Sequence, residues 1–203
     1  MKKMFTILVS SVILIAFAFT VSASAATAHT VVRGDTMWKI AVKYEVGLSE
    51  IKGANLHIKN PDLIYPGDVI YIPENDAEAL SYEKEVVRLV NEERRSRGLS
   101  ELTHDWQLAR VARYKSEDMK ENNYFSHTSP TYGSPFQMMK SFGISYRSAG
   151  ENIAMGYKTP EAVVEGWMNS SGHRANILNA SFTHIGVGYV KDGNYWTQMF
   201  IGK

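Results

Sequence analysis

The chain of 203 residues has 22 lysines and arginines against 21 aspartates and glutamates, and it has no cysteine. This near balance of charge, with no extended basic run, argues against a nucleic-acid-binding protein. The lack of cysteine excludes disulfide bonds, cysteine-ligated zinc and thiol catalysis, so the fold must be held together by burial of an apolar core.

The N-terminal segment has the composition of a secretory signal peptide. Lys2 and Lys3 form a short basic region, residues 4–21 are almost wholly apolar, and Ala23-Ser24-Ala25 supplies the small residues of a cleavage site. We expect residues 1–25 to be removed and the protein to be secreted, to the extracellular space or the cell wall. An uncleaved membrane anchor is the alternative, since the apolar run approaches the ~17 residues that a spanning helix needs. No later segment is apolar enough to span a membrane.

The segment 29–73 predicts a small module with the order β-α-α-β. β-prone runs stand at its two ends, and between them lie two stretches with apolar residues at helical spacing. A turn at Gly34 precedes the first helix, with Asp35 or Thr36 as its cap, and Ser49 is expected to open the second helix. The four expected elements are 29–32, 37–44, 48–54 and 69–72.

Two loops of this module carry a distinctive pattern. It consists of Val-x-Arg-Gly-Asp-Thr-Met-Trp-Lys-Ile-Ala at 31–41, Asn55, and Asn-Pro-Asp-Leu-Ile-Tyr-Pro-Gly-Asp-x-Ile-Tyr-Ile-Pro at 60–73. In these residues the whole segment resembles a LysM domain. LysM domains bind glycans that contain N-acetylglucosamine, so the resemblance implies peptidoglycan or a chitin-like glycan as the partner. The alternative is that the first loop is only a turn and a helix cap, and both roles can hold together.

The resemblance also implies where the glycan binds. LysM domains use a shallow groove between the first strand–helix loop and the loop before the last strand. An N-acetyl group offers an amide to backbone donors and acceptors and a methyl to a small apolar pocket. The implied groove residues are Gly34, Asp35, Thr36, Met37, Asn60, Pro61, Asp62, Leu63 and Ile64.

Residues 74–81 are acidic and show neither helix nor strand periodicity. We therefore expect a linker there, followed by a larger domain over residues 82–203. The first helix of that domain is expected to end near Gly98. The basic cluster at 94–97 follows two glutamates at this helix end, and we interpret it as a solvated face with favourable helix-end charge.

The rest of the larger domain predicts further helices and a sheet. Cap residues at Asp105, Ser134 and Thr159 precede amphipathic stretches, and proline follows the last two caps at the first helical position. Alternating stretches at 185–190 and 195–200 predict two strands joined by a tight turn. Helices that flank an antiparallel sheet give an α+β sandwich as the fold class.

Polar residues of the types that bind metals or transfer protons are spread over the last third of the chain. Ser126-His127, Gly150-Glu151-Asn152 and the stretch 169–176 contain two histidines and a glutamate, framed by small residues and asparagines. Such a set can bind a divalent metal or carry out acid/base chemistry. It can also line a cleft without doing either.

These residues belong to an ordered set of motifs. The motifs are Val-Asn-Glu-Glu-Arg at 90–94, Phe-Ser-His at 125–127, Gly-Glu-Asn-Ile-Ala at 150–154, Trp-Met-Asn-Ser-Ser-Gly-His-Arg-x-Asn-Ile-Leu at 167–178, and Ile-Gly-Val-Gly at 185–188. Together they resemble the CAP superfamily (the SCP/PR-1-like domain), in its bacterial branch of the YkwD type. The resemblance implies an α-β-α sandwich with a central cleft.

Eukaryotic members of that superfamily line the cleft with two histidines and two glutamates. His127, Glu151 and His173 match three of these positions, and the fourth falls on Ser170. The resemblance implies that the three are catalytic cleft residues, with His127 and His173 as ligands of a divalent cation such as zinc. No other cofactor is indicated. The serine removes one carboxylate, which weakens both the charge compensation of a metal and the acid/base set.

Each of these residues has a structural alternative. Glu151 can be a buried carboxylate that holds backbone amides, and the two histidines can be hydrogen-bonded cleft residues. Glu165 is not a substitute for the missing glutamate, because helical geometry points it away from the side of Trp167, and we expect it to face solvent.

Three functions follow from the sequence. The favoured one is a secreted, wall-associated, monomeric protein that binds glycan through its LysM module and uses the CAP domain as a ligand-binding or interaction module. The second is a metal-dependent hydrolase of wall polymer or protein, with Glu151 as general base. The third is a structural protein of the wall or the spore surface. The fold does not choose between binding and catalysis.

Overall fold

The structure, a computed structural model, describes residues 27–74 and 76–203. The expected signal peptide at 1–25 lies outside these residues. Across the two described ranges, no helix combines the length and the apolar character that crossing a bilayer requires.

The small module contains β1 (Ala28–Thr30), α1 (Met37–Lys43), α2 (Leu48–Gly53) and β2 (Val69–Tyr71). The two strands pair antiparallel, so the module has the expected β-α-α-β order. Thr36 caps α1 as expected, since its hydroxyl accepts from the amide of Lys39 at 3.1 Å. The expected cap of the second helix is wrong. That helix begins at Leu48 behind Gly47, one residue before Ser49, because the extended backbone of Gly47 already starts the turn without a side-chain cap.

The module has an apolar core of its own, and one buried amide joins its second helix to its second strand. Asn55 is fully buried. Its amide nitrogen donates to the carbonyls of Ile51 and Tyr71, each at 2.7 Å, and its amide oxygen accepts from the Tyr71 amide at 2.7 Å. A buried amide satisfied in this way fixes the end of α2 on β2. The core residues are Val31, Met37, Ile40, Ala41, Val46, Ile51, Ile70 and Ile72.

The connection to the larger domain is shorter than expected. Helix α3 (Ala77–Arg95) begins inside the predicted linker 74–81, because Asp76 accepts hydrogen bonds from the amides of Glu78 and Ala79. The prediction of an unstructured stretch up to residue 81 is therefore wrong. The carboxylate cap starts the helix in an acidic stretch that lacks apolar periodicity.

The larger domain continues with helices placed around one sheet. Its sheet has the order β3-β5-β6-β4, with β3 and β5 parallel and the other pairs antiparallel. Asp105, Ser134 and Thr159 cap their helices as the sequence predicts. The remaining elements are β3 (Thr103–His104), α4 (Trp106–Glu121), α5 (Pro135–Ser141), β4 (Ser148–Met155), α6 (Pro160–Asn169), α7 (Ser171–Ile177), β5 (His184–Val190) and β6 (Tyr195–Gly202).

Helices cover both faces of this sheet. On one face, α3 and α6 pack with Trp196 and Phe200 of β6 around the fully buried Trp167. On the other face, α4 and α5 pack on Met199 and Ile201, which alternate with the first pair along the same strand. The domain is therefore the α-β-α sandwich that the motifs predict, and the fold class is α+β.

Two glycines let α4 lie directly on the sheet. A Cβ atom on Gly186 would lie 2.3 Å from the backbone nitrogen of Ala109, and one on Gly188 would lie 2.1 Å from that of Arg113. Real Cβ contacts do not come this close, so any larger residue would push the helix away. The close approach fixes the position of α4, and with it the loop that follows.

The basic cluster at the end of α3 is only partly a solvated face. Arg94 is 1% exposed. Its guanidinium donates to the carbonyls of Ser100 at 2.8 Å, Ile177 at 2.7 Å and Asn179 at 3.0 Å. The interpretation of residues 94–97 as solvated is therefore wrong for Arg94, because the chain after α7 returns to this helix end and exposes carbonyls that need donors.

Hydrogen bonds between α2 and α4 join the small module to the larger domain, and one of them runs from Arg110 Nη2 to Ser49 Oγ at 3.2 Å. Glu50 of α2 accepts a hydrogen bond from Arg110 Nε of α4 at 2.7 Å and another from the hydroxyl of Tyr114, one turn further along α4. The side chains of Arg110 and Glu50 are 19% and 28% exposed. The same helix that lies on the sheet thus also contacts the small module.

Candidate functional site

His127 and Glu151 form a pair at one edge of the sheet. Glu151 lies on the edge strand β4, and His127 lies in the loop between α4 and α5. His127 Nδ1 and Glu151 Oε1 are 2.7 Å apart. The glutamate side chain is 1% exposed and the imidazole is 53% exposed. The histidine therefore faces solvent, and the carboxylate lies behind it.

The contact with Glu151 favours the protonated form of His127. The hydrogen bond to Glu151 raises the pKa of His127 above its ordinary value, against burial and the nearby charge of Lys115, which lower it. Burial raises the pKa of the Glu151 carboxyl, while His127 and Lys115 oppose that rise. Glu151 Oε2 is buried and accepts no hydrogen bond from the described residues. The carboxylate thus depends on His127 and on nearby positive charge for its stabilisation.

His173 lies beside this pair on α7. Asn152 donates to the carbonyl of His173 at 3.1 Å. Asn176 donates to the Asn152 side chain at 2.8 Å and to the Glu151 carbonyl at 3.1 Å, which fastens α7 to β4. Burial lowers the pKa of His173, and the charge on His127 lowers it further. The two imidazoles are therefore close enough to interact, and a charge on His127 disfavours protonation of His173.

The position of the missing glutamate is a helix junction. Ser170 ends α6, donating to the carbonyl of Trp167 at 3.2 Å, and begins α7, accepting from the amide of Arg174 at 2.8 Å. Glu165 is exposed on α6, as predicted. No carboxylate from this helix therefore replaces the one that the serine removes.

The donor set does not complete a metal site by itself. Among residues 27–74 and 76–203, no three histidine, aspartate or glutamate side chains converge as metal ligands. A protein-held zinc ion needs three or four such ligands. His127 already uses Nδ1 on Glu151, the arrangement by which a carboxylate orients a ligand imidazole, so two imidazole nitrogens are what this cleft offers. Binding of a divalent cation by His127 and His173 stays a prediction.

The geometry changes the roles that the hydrolase hypothesis gave to these residues. A general base must reach the proton that it abstracts. The Glu151 side chain is 1% exposed, whereas the His127 side chain is 53% exposed and its Nε2 is not engaged by Glu151. Any acid/base chemistry in this cleft therefore belongs to His127, with Glu151 as the group that orients it and favours its charged form.

The small module carries a separate groove of about 340 Å³ between its two loops. Most of the residues predicted for glycan binding line it, together with Trp38 and Leu48, which the sequence analysis did not include. Trp38 is 49% exposed and lies off the apolar stripe of α1, a signal that the sequence does carry. The lining residues are Asp35, Thr36, Met37, Trp38, Leu48, Pro61, Asp62, Leu63 and Ile64.

Three of the predicted groove residues also have a structural role in the loops. Asp35 accepts from His29 Nε2 at 2.8 Å and from the Val32 amide at 2.9 Å, so its carboxylate braces the first loop. The Gly34 carbonyl accepts from Lys39 at 2.7 Å. Asn60 accepts from the Asp62 amide at 3.1 Å and closes the second loop. Gly34 and Asn60 therefore contribute to the two loops and are not among the residues that line the groove.

Comparison with known proteins agrees with both parts of the chain. The family model described as "CAP: Cysteine-rich secretory protein family" matches residues 87–201. The chain belongs to this CAP family. A second model, the LysM domain, matches residues 29–73. This CAP domain has no cysteine, so it keeps the family fold through its two apolar cores and its buried polar contacts.

Bacterial relatives share the CAP domain or the LysM module, but each over part of its length. YkwD of Bacillus subtilis is 68% identical over 123 residues, which cover 61% of this chain and 48% of YkwD. SpoIVD-associated factor A of Bacillus subtilis is 51% identical over 45 residues, 22% of this chain and 12% of that protein. The chain thus spans about half the length of YkwD and less of the second relative.

A solved structure confirms the fold of the CAP domain. An extracellular protein containing an SCP domain from Bacillus anthracis is 37% identical, with a TM-score of 0.60 over 68% of this chain and 47% of that chain. The part of this chain that aligns with the solved structure is longer than the stretch 87–201 that matches the CAP family model. The α-β-α sandwich is therefore shared with this bacterial neighbour.

Proposed function

We propose that the protein is a secreted, cell-wall-associated glycan-binding protein whose LysM module binds N-acetylglucosamine-containing polymer and whose CAP domain presents a cleft for a second ligand. The observation that carries the proposal is the groove of the LysM module. Exposed apolar side chains of Trp38 and Leu63 stand there beside the polar Thr36 and Asp62.

The chemistry of this groove suits an N-acetylated sugar. Sugar rings present apolar C–H faces that pack on aromatic and aliphatic side chains, and Trp38 and Leu63 offer such surfaces at 49% and 52% exposure. The N-acetyl group needs a donor and an acceptor, and we expect backbone groups of the two loops to supply them. Because the loops are braced by Asp35 and Asn60, the groove is formed before the ligand arrives, which lowers the cost of binding.

Sedimentation with insoluble peptidoglycan tests the LysM assignment. The mature protein is expected to sediment with peptidoglycan, and soluble N-acetylglucosamine oligomers are expected to release it. Cellulose, which has the same backbone linkage without N-acetyl groups, serves as the control polymer. Equal sedimentation with both polymers would contradict recognition of the N-acetyl group.

Secretion is supported by the N-terminal composition. Residues 1–25 carry the basic, apolar and small-residue regions of a signal peptide. Mass spectrometry of protein recovered from the culture medium and from washed walls is expected to find an N-terminus near Ala26. Recovery of the chain with residues 1–25 intact in the membrane fraction would support the anchor instead.

The role proposed for the CAP cleft is recognition of a ligand with hydrogen-bonding groups. The half-exposed His127 presents a ring nitrogen to solvent from a fixed orientation, and His173 lies within its electrostatic reach. The pKa of His127 is raised and that of His173 is lowered, so the pair favours a donor on His127 and an acceptor on His173. Such a pair suits an amide or carboxylate group of a wall peptide.

A second candidate function, hydrolysis of wall polymer or peptide, is favoured by the same pair. A buried carboxylate that raises the pKa of a half-exposed imidazole is an arrangement used for acid/base catalysis. Incubation with purified walls decides between the two. Release of soluble fragments that is lost in His127→Ala and reduced in Glu151→Gln would establish catalysis, whereas fragment release at the level of a protein-free control would leave recognition as the role.

A further inference from the structure

Helix α4 places two buried charged residues, Lys115 and Asp118, one turn apart beneath the loop that carries His127. Lys115 is fully buried and Asp118 is 5% exposed. A buried charge is costly unless hydrogen bonds satisfy it. Their partners therefore show what these charges hold in place.

The ammonium of Lys115 donates only to the loop. Its acceptors are the hydroxyl of Tyr124 at 2.9 Å, the carbonyl of Ser126 at 2.8 Å and the carbonyl of His127 at 3.2 Å. An ammonium group has three protons, so each has one acceptor. Two of these acceptors are backbone carbonyls. One belongs to the peptide bond before His127, and the other belongs to the peptide bond after it.

Asp118 holds the same loop from further along. It accepts from Ser129 Oγ at 2.7 Å, Thr131 Oγ1 at 2.5 Å, Asn122 Nδ2 at 2.8 Å and the Tyr124 hydroxyl. The Tyr124 hydroxyl thus accepts from Lys115 and donates to Asp118, which joins the two charges into one network. The network spans the loop from its first residue after α4 to its turn.

Apolar burial does little to fix this loop at His127. Phe125 is 48% exposed and the His127 side chain is 53% exposed. Regular secondary structure is also missing from residues 123–128. The hydrogen bonds from Lys115 are therefore the main contacts that set the backbone of His127 relative to Glu151.

We propose that Lys115 is a positioning residue for the CAP cleft, which holds the backbone of Ser126 and His127 so that the His127 imidazole lies on the Glu151 carboxylate. Tyr124 and Asp118 complete the device. The inference rests on the cleft being used as proposed above, but the positioning is a property of the protein without any ligand. It can therefore be tested apart from glycan binding, wall binding or catalysis.

The test is a cycle of nuclear magnetic resonance spectra on metal-free protein at one pH. The Glu151→Gln substitution changes the imidazole resonances of His127 strongly when the two side chains are hydrogen-bonded. In otherwise wild-type protein, we expect Glu151→Gln to shift the His127 imidazole resonances. In protein that also carries Lys115→Met, we expect Glu151→Gln to leave these resonances unshifted. Lys120→Met is the matched control, since Lys120 is exposed on the same helix and its ammonium pairs with Asp192 at 3.5 Å, away from the loop that carries His127.

Retention of the full response in Lys115→Met, in a chain whose circular dichroism shows the wild-type fold, would overturn the proposal. Where Lys115→Met does not fold, Tyr124→Phe decides, because it keeps the ring and removes only the hydroxyl that joins Lys115 to Asp118. A His127 response reduced by about half or more supports positioning through this network, and an unchanged response contradicts it. A loss of response in the Lys120→Met control would also contradict it, since a general weakening of α4 would then explain the result.

Discussion

Glu151 acts on His127 through one hydrogen bond from a buried position. The carboxylate is 1% exposed, and its free oxygen accepts nothing from the described residues, so the interaction with the imidazole is not diluted by other partners. In a buried setting such an interaction is stronger than at the surface. At the residue scale, the site is therefore a histidine whose charged form is favoured by the carboxylate behind it.

The pH dependence of His127 tests this directly. In wild-type protein, its titration midpoint is expected to lie above the ordinary value of 6.5 for histidine, because the carboxylate favours the imidazolium. In Glu151→Gln the midpoint is expected to fall, since burial and the Lys115 charge, which both disfavour the imidazolium, remain. Resonances of His57, in the LysM module, serve as the internal reference. An equal midpoint in the two proteins would show that the pair does not form.

The sequence could identify His127 and Glu151 as candidate site residues, but it could not predict their positions relative to each other. His127 and Glu151 follow from motif resemblance, yet which of them faces solvent depends on the path of β4 under the loop. The helix caps Asp105, Ser134 and Thr159 were predictable, because capping is a local interaction. The burial of Lys115 was not predictable, because it depends on contacts with a loop that folds back on α4, and a buried lysine cannot be told from a solvated one in the sequence.

At the element scale, the position of α4 decides much of the domain. This helix lies on β5 through Gly188, carries the network that holds the His127 loop, and contacts the LysM module through Arg110. A shift of α4 would therefore be felt at the cleft and at the contact between the modules.

The substitution Gly188→Ala tests how closely α4 packs. An added Cβ would meet the helix backbone at 2.1 Å, so the helix must move, and we expect a loss of about 3 kcal/mol in the free energy of unfolding. Gly172→Ala on α7 is the control, because nothing lies within 4 Å of its Cβ position. Urea denaturation of both variants gives the comparison. Equal stability of Gly188→Ala and wild type would mean that α4 does not rest on β5 as described.

Arg94 ties the end of α3 to the chain after α7. Truncation to alanine leaves three carbonyl oxygens without their donor, and we expect a loss of about 3 kcal/mol. Arg95→Ala is the matched neighbour, since its side chain is 55% exposed and exposed pairs contribute little. Thermal unfolding measures both. A similar small effect for the two arginines would contradict the buried role of Arg94.

Three elements of the larger domain did not follow from the sequence, the two-residue strand β3, the strand β4 and the helix α7. Strand β4 contains Gly150, Asn152 and Glu151, residue types that are poor in strands, and it forms because β6 pairs along its whole length. Helix α7 is short and begins directly after Ser170, so it offers little periodicity to detect. The predicted linker was too long because the stretch 74–81 lacks periodicity, although the cap at Asp76 starts α3 within it.

At the scale of the whole molecule, the short connection and the Glu50–Arg110 contact join the two modules. We expect the pair to contribute about 1 kcal/mol of coupling, because it is only partly buried. A double-mutant cycle with Glu50→Gln and Arg110→Gln, read by the unfolding of the LysM module, measures it. Lys52→Gln, whose partner Asp62 lies within the same module, is the control. Strict additivity of the two substitutions would mean that the modules are independent in solution.

The proposed function requires the LysM groove to bind N-acetylglucosamine polymer and so to place the CAP domain at the wall. Calorimetric titration with an N-acetylglucosamine oligomer tests it most directly. Trp38→Ala is expected to weaken binding about tenfold, the loss of one apolar stacking surface. Leu56→Ala, which removes an 87% exposed side chain that is not part of the groove lining, is expected to bind like wild type. Absence of binding by wild type, or equal affinity of wild type and Trp38→Ala, would contradict the account.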